Sequence, residues 1–352
     1  MKILFIPHVP NTTLINRVYE FAKNSDSYSL HWHIDNSSFK AKVLSQLYSL
    51  KYVEDGKSIQ IPLLFKPESI APKVNTFFLN RLIKKLNIEC VVNANALLFD
   101  IKSISVKVVY DLVDDHLEVN PDIGLTQKRV QKIKTDIENS QGVICVSEFV
   151  EKKVQKLHHT TLTVGNGIYY ERFKKAKSLK KELGLEGKKV FGYIGGVDEW
   201  TGIKEAIESY LKIQNDTNAL MIVGGSEAPY YQELYKKYRD RVLFVGKVAP
   251  SSVAEYFKTV DVGLIPFKLN PFTNNALPIK ALEYALGGAR VLSTPLEYLR
   301  FKNYPFVQLS SIEQWSEVMQ EDHQVQEYAF ETLDWKNRAQ EVVAFVEGID
   351  EK

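Results

Sequence analysis

Residues 274–294 read NNALPIKALEYALGGARVLST, and the fold prediction starts from this stretch. Its pattern predicts a loop, a helix beginning near Pro278, a glycine-rich stop and then a buried strand. The start of a helix offers unpaired backbone N–H groups and the positive end of the helix dipole, which suits a phosphate. Glu283 lies about one turn inside that helix, where its carboxylate can accept hydrogen bonds from a ribose diol. Binding of a nucleotide-diphosphate sugar requires both features.

Short β-branched runs alternate with amphipathic stretches on both sides of this segment. The alternation predicts an α/β fold with two doubly wound, Rossmann-like domains, each built on a parallel sheet. The linker is expected at 165–187, which is rich in Lys, Gly and Tyr. Ligands of open parallel sheets bind beyond the carboxyl ends of the strands, so we expect the site in a cleft that both domains face. The elements used below are the predicted helices at 13–24, 75–87, 148–157 and 278–286 and the predicted strands at 106–110 and 290–293.

The composition is that of an ordinary globular protein. The 352 residues are 45% hydrophobic and 25% charged, and the net charge of +2 does not favour nucleic acid as a partner. The two cysteines are too few for a disulfide framework. The sequence shows no signal-peptide pattern and no apolar run of the roughly 18–20 residues that span a bilayer. We therefore expect a cytoplasmic protein and leave open peripheral contact with the inner face of the cell membrane.

Several short blocks occur in a fixed order along the chain. They are VSE (146–148), NGI (166–168), GYIGG (192–196), VGG (223–225), FVGKV (244–248), DVGLIP (261–266) and KALEY (280–284). In this order and spacing they resemble the GT-B glycosyltransferases, in particular the retaining group called family 4. The likeness covers nearly the whole chain. It is fairly specific for the fold and for nucleotide-sugar use and says little about the sugar.

The resemblance implies a division of labour between the domains. Residues 1–168 would form the acceptor-side domain, 169–328 the nucleotide-sugar-binding domain, and 329–352 a helix that crosses back to the first domain. A hydroxyl of a glycan or of a lipid-linked molecule is the expected acceptor. The donor is a substrate, so no separate cofactor is expected, and a UDP-sugar is favoured over a GDP-sugar.

The resemblance also implies roles for individual residues of the second domain. Glu283 would hold the ribose, and the backbone at three positions of the helix start would meet the diphosphate. These positions are Leu277, Pro278 and Ile279. Gly195 and Gly196 belong to the glycine-rich turn after the first strand of this domain. Lys247 and Val248 would lie along the nucleobase.

The chain departs from the family pattern at three places. Family members often carry an acid eight residues before the ribose-binding acid, and Asn275 stands there in this chain. They also often carry an Arg and a Lys in the glycine-rich start of the second domain, where this chain has Gly196 and Thr201. We infer that Lys280, one helical turn before Glu283, supplies the missing positive charge to the diphosphate. The alternative is that Lys280 is a solvated helix residue.

A second candidate site follows the predicted strand at 106–110. The sequence there is DLVDDH (111–116), and three acids with a histidine at a strand end suit general acid–base chemistry. Such acids could also hold a divalent cation. The resemblance to the GT-B enzymes implies catalysis without a metal, and we therefore expect none. The resemblance implies that a His or Asp on this loop contacts the donor sugar and orients the acceptor. The candidates are Asp114, Asp115 and His116, and the choice among them stays open.

The predicted helix at 75–87 is amphipathic and basic. Its apolar residues, Leu79, Leu82, Ile83 and Leu86, share one face, and Arg81, Lys84 and Lys85 share another. Such a helix can lie on an anionic membrane, and it can equally be an ordinary surface helix of the first domain.

These observations predict a glycosyltransferase of the hexosyltransferase type. It would transfer sugar with retention in the synthesis of a cell-surface polysaccharide. Two alternatives remain. A nucleotide-sugar 2-epimerase shares the fold, and a non-catalytic GT-B scaffold that binds a sugar or partner would explain Asn275, Gly196 and Thr201.

Overall fold

A computed structural model of the chain describes residues 1–9, 17–32, 53–55, 57–61, 63–65, 67–120, 124–270, 273–274, 278–321 and 328–349. It divides into two compact units, of which the first is Met1–Gly167 with Asp334–Lys352 and the second is Ile168–Leu333. Each unit contains a mainly parallel sheet with helices packed on it. The predicted α/β class with two doubly wound, Rossmann-like units is therefore confirmed.

The first unit is built on an eight-stranded sheet in the described part of the chain. Its strands are β1 (Ile3–Ile6), β2 (Tyr28–Leu30), β3 (Val53–Asp55), β4 (Ser58–Gln60), β5 (Cys90–Asn93), β6 (Lys107–Leu112), β7 (Gly142–Cys145) and β8 (Thr161–Thr163). The order across the sheet is β3-β4-β2-β1-β5-β6-β7-β8. All neighbours are parallel except β3, which pairs with β4 in the antiparallel direction. The four residues of β1 are fully buried, as expected for the centre of a sheet covered on both faces.

Five helices accompany this sheet in the described residues. They are α1 (Arg17–Asn24), α2 (Ala71–Leu86), α3 (Gln127–Glu138), α4 (Glu148–Val154) and α12 (Trp335–Gly348). The terminal helix α12 packs on α1, where the Trp335 and Phe21 rings meet edge to face with centroids 5.7 Å apart. Trp335 also fills the space where Gly167 has no side chain.

The second unit contains a six-stranded parallel sheet. Its strands are β9 (Lys189–Ile194), β10 (Asn218–Val223), β11 (Leu243–Gly246), β12 (Val262–Ile265), β13 (Arg290–Ser293) and β14 (Val307–Leu309), in the order β11-β10-β9-β12-β13-β14. Its helices are α5 (Tyr170–Lys175), α6 (Ile203–Leu211), α7 (Pro229–Tyr238), α8 (Val253–Phe257), α9 (Lys280–Gly287), α10 (Glu297–Lys302) and α11 (Trp315–Val318). The strand order reverses direction beside β9, which places the carboxyl end of β9 at the topological switch point.

Several element boundaries differ from the predictions. The helix α2 begins four residues earlier than predicted, because Pro72 is tolerated in its first turn. The predicted linker at 165–187 contains the helix α5. Strand β6 continues to Leu112, so Asp111 lies inside the strand and not in the loop that follows it. Residues 13–16 of the first predicted helix lie outside the described part of the chain.

Candidate functional site

The glycine-rich turn after β9 is packed against the neighbouring turn after β10. The Gly195 N–H donates to the carbonyl of Val223 at 2.9 Å. A Cβ on Gly224 would lie 2.3 Å from the carbonyl oxygen of Gly195, and Gly224 has a φ of +106°. Only glycine allows this approach of two backbones. The carboxyl ends of β9 and β10 therefore form one surface made of main chain.

The helix α9 starts beside this surface. The first turn closes through hydrogen bonds from Ala281 N–H to the Pro278 carbonyl at 2.8 Å and from Glu283 N–H to the Ile279 carbonyl at 3.2 Å. Within the described residues, no side chain caps this helix. The amides of Ala281 and Glu283 are thus used within the turn, and the amides of Ile279 and Lys280, which have no acceptor among the described residues, remain available to an anion. Asn275 and Leu277, which were predicted to contact the donor, lie outside the described residues.

Tyr284 fixes α9 to the sheet. Its hydroxyl accepts a hydrogen bond from Ile194 N–H at 2.8 Å and donates to the Gly192 carbonyl at 2.9 Å. Its ring occupies the space that a side chain on Gly263 would need, at 2.1 Å from the Cβ position. The helix that carries Lys280 and Glu283 is therefore attached directly to β9, the strand that leads into Gly195.

Lys280 extends from the start of α9 to the glycine-rich turn. Its Nζ lies 4.1 Å from the ring centroid of Tyr193 and 5.1 Å from that of Phe267. A Cβ on Gly195 would lie 2.6 Å from the same nitrogen. Among the described residues, no carboxylate forms an ion pair with Lys280. Burial lowers the pKa of Lys280 to about 7, and Glu283 opposes this shift. The ammonium is thus placed against aromatic rings without a full counter-charge.

Glu283 is half-buried on the same helix. Burial raises the pKa of its carboxyl to about 7, while Lys280 and Arg172 act in the opposite direction. Arg172 belongs to α5, stacks on the Tyr169 ring at 4.0 Å and donates to the Pro250 carbonyl at 3.1 Å. Glu283 and Lys280 thus lie in one partly desolvated place, and with pKa values of about 7 each is only partly ionised at neutral pH.

Lys247 and Val248 follow β11. The Lys247 N–H donates to the Ser226 hydroxyl at 3.3 Å, and the exposed Lys247 ammonium lies 3.6 Å from a carboxylate oxygen of Glu227. Val248 packs against the core of the second unit. The structure therefore connects the loop after β10 with the loop after β11, where Lys247 and Val248 were predicted to lie along the nucleobase. That role stays a prediction.

The two basic positions that the chain lacks are occupied as follows. Gly196 accepts a hydrogen bond from the Tyr193 hydroxyl at its carbonyl, at 2.6 Å. Thr201 is buried, and its hydroxyl donates to the Asp198 carbonyl at 2.5 Å. Neither residue brings positive charge to the turn after β9, whereas the Lys280 ammonium reaches this turn from the start of α9.

The acid cluster of the first unit separates into residues with different surroundings. Asp111 is fully buried, and Arg17 Nε lies 3.3 Å from its Oδ2. Arg17 also donates to the Val164 carbonyl at 2.8 Å and to Asn166 Oδ1 at 3.3 Å. The guanidinium thus ties β6 to the end of β8. Asp111 belongs to the framework and not to the loop where a general acid was expected.

Asp114 and His116 are half-buried on the loop after β6. Asp114 uses its carboxylate and its carbonyl to accept hydrogen bonds at 2.8 Å from the amides of Asp115 and His116. Burial raises the pKa of Asp114 and lowers that of His116, and their mutual attraction opposes both shifts. Burial, together with the positive charges of His116 and Arg17, lowers the pKa of His8 to about 4. His8 Nδ1 has no hydrogen-bond partner among the described residues.

Asp115 differs from its neighbours. Its Oδ2 accepts from Lys153 Nζ at 2.6 Å, and the same ammonium lies 2.8 Å from Glu118. This carboxylate is engaged by a structural ion pair on α4. The three candidates that the sequence left open are thus unequal, and Asp114 and His116 have the surroundings of reactive groups.

Sequence reasoning did not single out four neighbours of the candidate site residues, namely Arg172, Tyr193, Phe267 and Ser226. Arg172 follows the block at 166–168, and Tyr193 belongs to the block at 192–196. No local pattern predicts that Arg172 acts on Glu283 or that Tyr193 lies beside Lys280. Within the described residues, no group of three His, Cys, Asp or Glu side chains has a geometry that could hold a metal ion. In the same part of the chain, no helix is long and apolar enough to cross a membrane.

Comparison with known proteins defines the class. Residues 188–302 match the family model described as Glycosyl transferases group 1, so the second unit contains a group 1 glycosyltransferase domain. This match covers β9 to α10, including Lys280 and Glu283. Over the whole chain, the solved structures that resemble it have the GT-B fold, and the predicted GT-B architecture is confirmed.

Two relatives with named activities are similar to part of this chain. The chain is 28% identical over 181 residues to TuaH of Bacillus subtilis (strain 168), which is named as a glycosyltransferase of teichuronic acid biosynthesis; the match covers 49% of this chain and 44% of TuaH. It is 24% identical over 173 residues to the alpha-monoglucosyldiacylglycerol synthase of Streptococcus pneumoniae (strain ATCC BAA-255 / R6), covering 45% of this chain and 38% of the synthase. The chain thus matches less than half the length of these relatives.

Among solved structures, Anabaena Alr3699/HepE in complex with UDP superposes with a TM-score of 0.67 at 15% identity, covering 100% of this chain and 99% of the other. The glycosyltransferase WaaG, involved in lipopolysaccharide biosynthesis, superposes with a TM-score of 0.60 at 16% identity, covering 99% and 95%. At these identities the likeness concerns the fold.

Proposed function

We propose that this protein is a retaining glycosyltransferase that moves a sugar from a nucleotide-diphosphate sugar to a hydroxyl of a glycan or lipid-linked acceptor. The observation that carries the proposal is the position of Lys280. Its ammonium lies against Gly195 and Tyr193, at the uncapped start of α9 and one turn before Glu283. Such a place suits a diphosphate whose ribose reaches the carboxylate.

In the proposed reaction the α9 amides and Lys280 bind the donor diphosphate. As the bond between the anomeric carbon and the phosphate oxygen breaks, negative charge grows on that oxygen, and these donors stabilise it without rearrangement. The acceptor hydroxyl forms the new bond on the face that the diphosphate leaves, and its proton passes to the departing phosphate. Lys280 thereby takes the part of the basic residues that are absent at Gly196 and Thr201.

We assign the donor to the UDP-sugars. The support is the Anabaena protein of the same fold, which was crystallised with UDP and also with UDP-glucose. For the acceptor, the names of the two curated relatives point to teichuronic acid and to a diacylglycerol, that is, to surface polymers and lipids. Asp114 and His116 are proposed to contact the sugar or the acceptor and to orient it for the attack, because both are half-buried on the loop after β6 and burial shifts the pKa of each.

Calorimetry with UDP and GDP tests the donor site. We expect UDP to bind more tightly than GDP, and Lys280→Met to weaken UDP binding while Lys204→Met leaves it unchanged. Lys204 is the matched control, since it is an exposed lysine in the first turn of α6. Failure of both nucleotides to bind the unmodified protein would contradict the proposal and favour the scaffold alternative.

Product analysis tests the reaction. A screen of UDP-sugars for donor hydrolysis should identify the sugar, and NMR of the product should show the anomeric configuration of the donor. Inversion would contradict the retaining mechanism. Conversion of UDP-N-acetylglucosamine to its 2-epimer without an acceptor would replace the proposal by the epimerase alternative.

A further inference from the structure

The helix α2 presents an exposed face that the core does not explain. The members of this face lie on one side of the helix at spacings of three, four and seven residues. They are Ile70, Lys73, Phe77, Arg81, Lys84 and Lys85, and all six are exposed. We call this set the α2 outer face.

The α2 outer face is distinct from the apolar row that the sequence suggested for membrane contact. Leu79, Leu82 and Ile83 are buried in the hydrophobic core of the first unit, and they are unavailable to a lipid. The row that lies opposite them carries its own apolar groups. Phe77 is 57% exposed and Ile70, at the N-terminal end of α2, is 52% exposed.

The charge of this face has a single sign. The helix Ala71–Leu86 contains no Asp or Glu, and its exposed side carries three lysines and one arginine. The Arg81 guanidinium lies 5.8 Å from the Phe77 ring centroid, and the Phe78 ring lies 5.6 Å from that of Phe77. Aromatic and cationic groups thus stand side by side along the helix. This combination is favoured at the headgroup level of a bilayer, where the ring enters the interface and the cations meet phosphates.

We propose that the α2 outer face docks on an anionic phospholipid surface. The four cations lie along one side of the helix and can all approach a flat charged surface. Each of them adds to binding when that surface is anionic. Phe77 and Ile70 add apolar contact that the phosphate backbone of duplex DNA would not use. The inference goes beyond the proposed glycosyl transfer and does not depend on the donor.

A cavity of about 660 Å³ adjoins the same helix. One part of its lining is apolar and includes Pro72 in the first turn of α2, Phe65, Leu97 and Leu98, and another part is charged and consists of Glu68, Lys128, Arg129 and Lys132. Leu97 is 42% exposed at its edge. Docking of the α2 outer face would bring this cavity near the bilayer, where a lipid-linked acceptor is found.

Co-sedimentation of the full chain with vesicles tests the proposal. Vesicles of phosphatidylcholine alone are compared with vesicles that also contain phosphatidylglycerol. We expect binding only to the anionic vesicles, with weakening as salt is added, since screening acts on exposed charges. The triple variant Lys73→Glu, Arg81→Glu, Lys84→Glu should lower the partition coefficient by roughly a hundredfold.

The matched control carries the same change of net charge elsewhere. It is Lys204→Glu, Lys236→Glu, Arg239→Glu, three exposed residues of the second unit, and it should bind vesicles like the unmodified protein. Phe77→Ala, which keeps every charge, should weaken binding severalfold. UDP calorimetry on each variant reports separately on the donor site and on folding.

Three results would overturn the proposal. They are equal vesicle binding by the two triple variants, no binding of the unmodified protein to anionic vesicles, and unchanged binding by Phe77→Ala together with tighter binding to duplex DNA than to vesicles. A protein that binds vesicles as expected but not UDP would leave the docking surface intact and remove the proposed function.

Discussion

The two units treat buried charge in opposite ways. In the first unit, Arg17 and Asp111 form a direct ion pair, and the guanidinium also donates to the Val164 carbonyl and to Asn166 Oδ1, while Asp111 Oδ1 has no hydrogen-bond partner among the described residues. In the second unit, Lys280 and Glu283 stand one helical turn apart, and burial brings the pKa of each to about 7. The first pair is in direct contact and joins two strands of its sheet. The second pair has no such contact among the described residues and keeps both charged groups available to a ligand, which supports the proposed binding site.

The largest expected effect concerns the direct ion pair of Arg17 and Asp111. Arg17→Met should leave the Asp111 carboxylate buried and unpaired, at a cost of about 3–5 kcal/mol in the free energy of unfolding. Urea denaturation measures it. Lys280→Met removes a desolvated charge and is expected to keep the stability or raise it. Similar losses in the two variants would abolish the contrast between the units.

The next effect separates two adjacent acids of the first unit. Asp114→Asn should lower the rate of donor hydrolysis or transfer about a hundredfold, because the carboxylate is proposed to orient the reacting groups and small misplacements of such groups are costly. Asp115→Asn should change the rate little, since Lys153 already engages that carboxylate. Kinetics of both variants at saturating donor measure the difference. Equal rates in the two variants would remove Asp114 from the candidate catalytic residues.

Glu283→Ala tests the ligand side of the comparison. Loss of a charge-assisted bond to ribose should cost about 1.5–3 kcal/mol, equivalent to a donor KM raised roughly 10- to 150-fold. Glu297→Ala is the matched control, because Glu297 is an exposed acid in the first turn of α10. An unchanged KM in Glu283→Ala would count against ribose binding by this residue.

The pH dependence of donor binding sharpens the same point. Below pH 7 the Glu283 carboxyl takes up its proton and loses its charge, and above pH 7 the Lys280 ammonium loses its own. Affinity for UDP-glucose should therefore be highest near neutrality and fall by up to about tenfold per pH unit on the alkaline side. Lys280→Met should flatten the alkaline limb, and Glu283→Gln the acidic limb. Calorimetry across this range would disprove the assignment if both limbs persisted in the variants.

Local sequence was sufficient for much of the fold. Strand β13 was predicted at its observed bounds, Arg290–Ser293, because a short apolar run follows a glycine stop. The start of α4 at Glu148 was also predicted, and the Ser147 side chain caps it by accepting a hydrogen bond from the Val150 amide. The short strands β3 and β4 escaped prediction, since three residues carry too little periodicity to distinguish a strand from a loop.

The candidate site was predictable only in part. The α9 start and Glu283 follow from a pattern within one segment. The partners Arg172, Tyr193 and Phe267 come from other segments, and the fold alone brings them near α9. Burial decides the pKa values of Lys280, Glu283 and Asp114, and no local pattern reports it. The same holds for Asp111, whose pairing with Arg17 depends on a contact between residues far apart in the chain.

The hydroxyl of Tyr284 replaces a hydrogen bond between two strands. It accepts from the Ile194 amide and donates to the Gly192 carbonyl, at the place where the pairing of β9 with β12 ends at Gly192. One phenol thus joins the helix and the strand that frame the proposed diphosphate position into a single preassembled body. A nucleotide that binds there would lose little binding free energy to ordering of the protein. Substitutions elsewhere on the sheet would then change the choice of sugar without weakening the binding of the diphosphate.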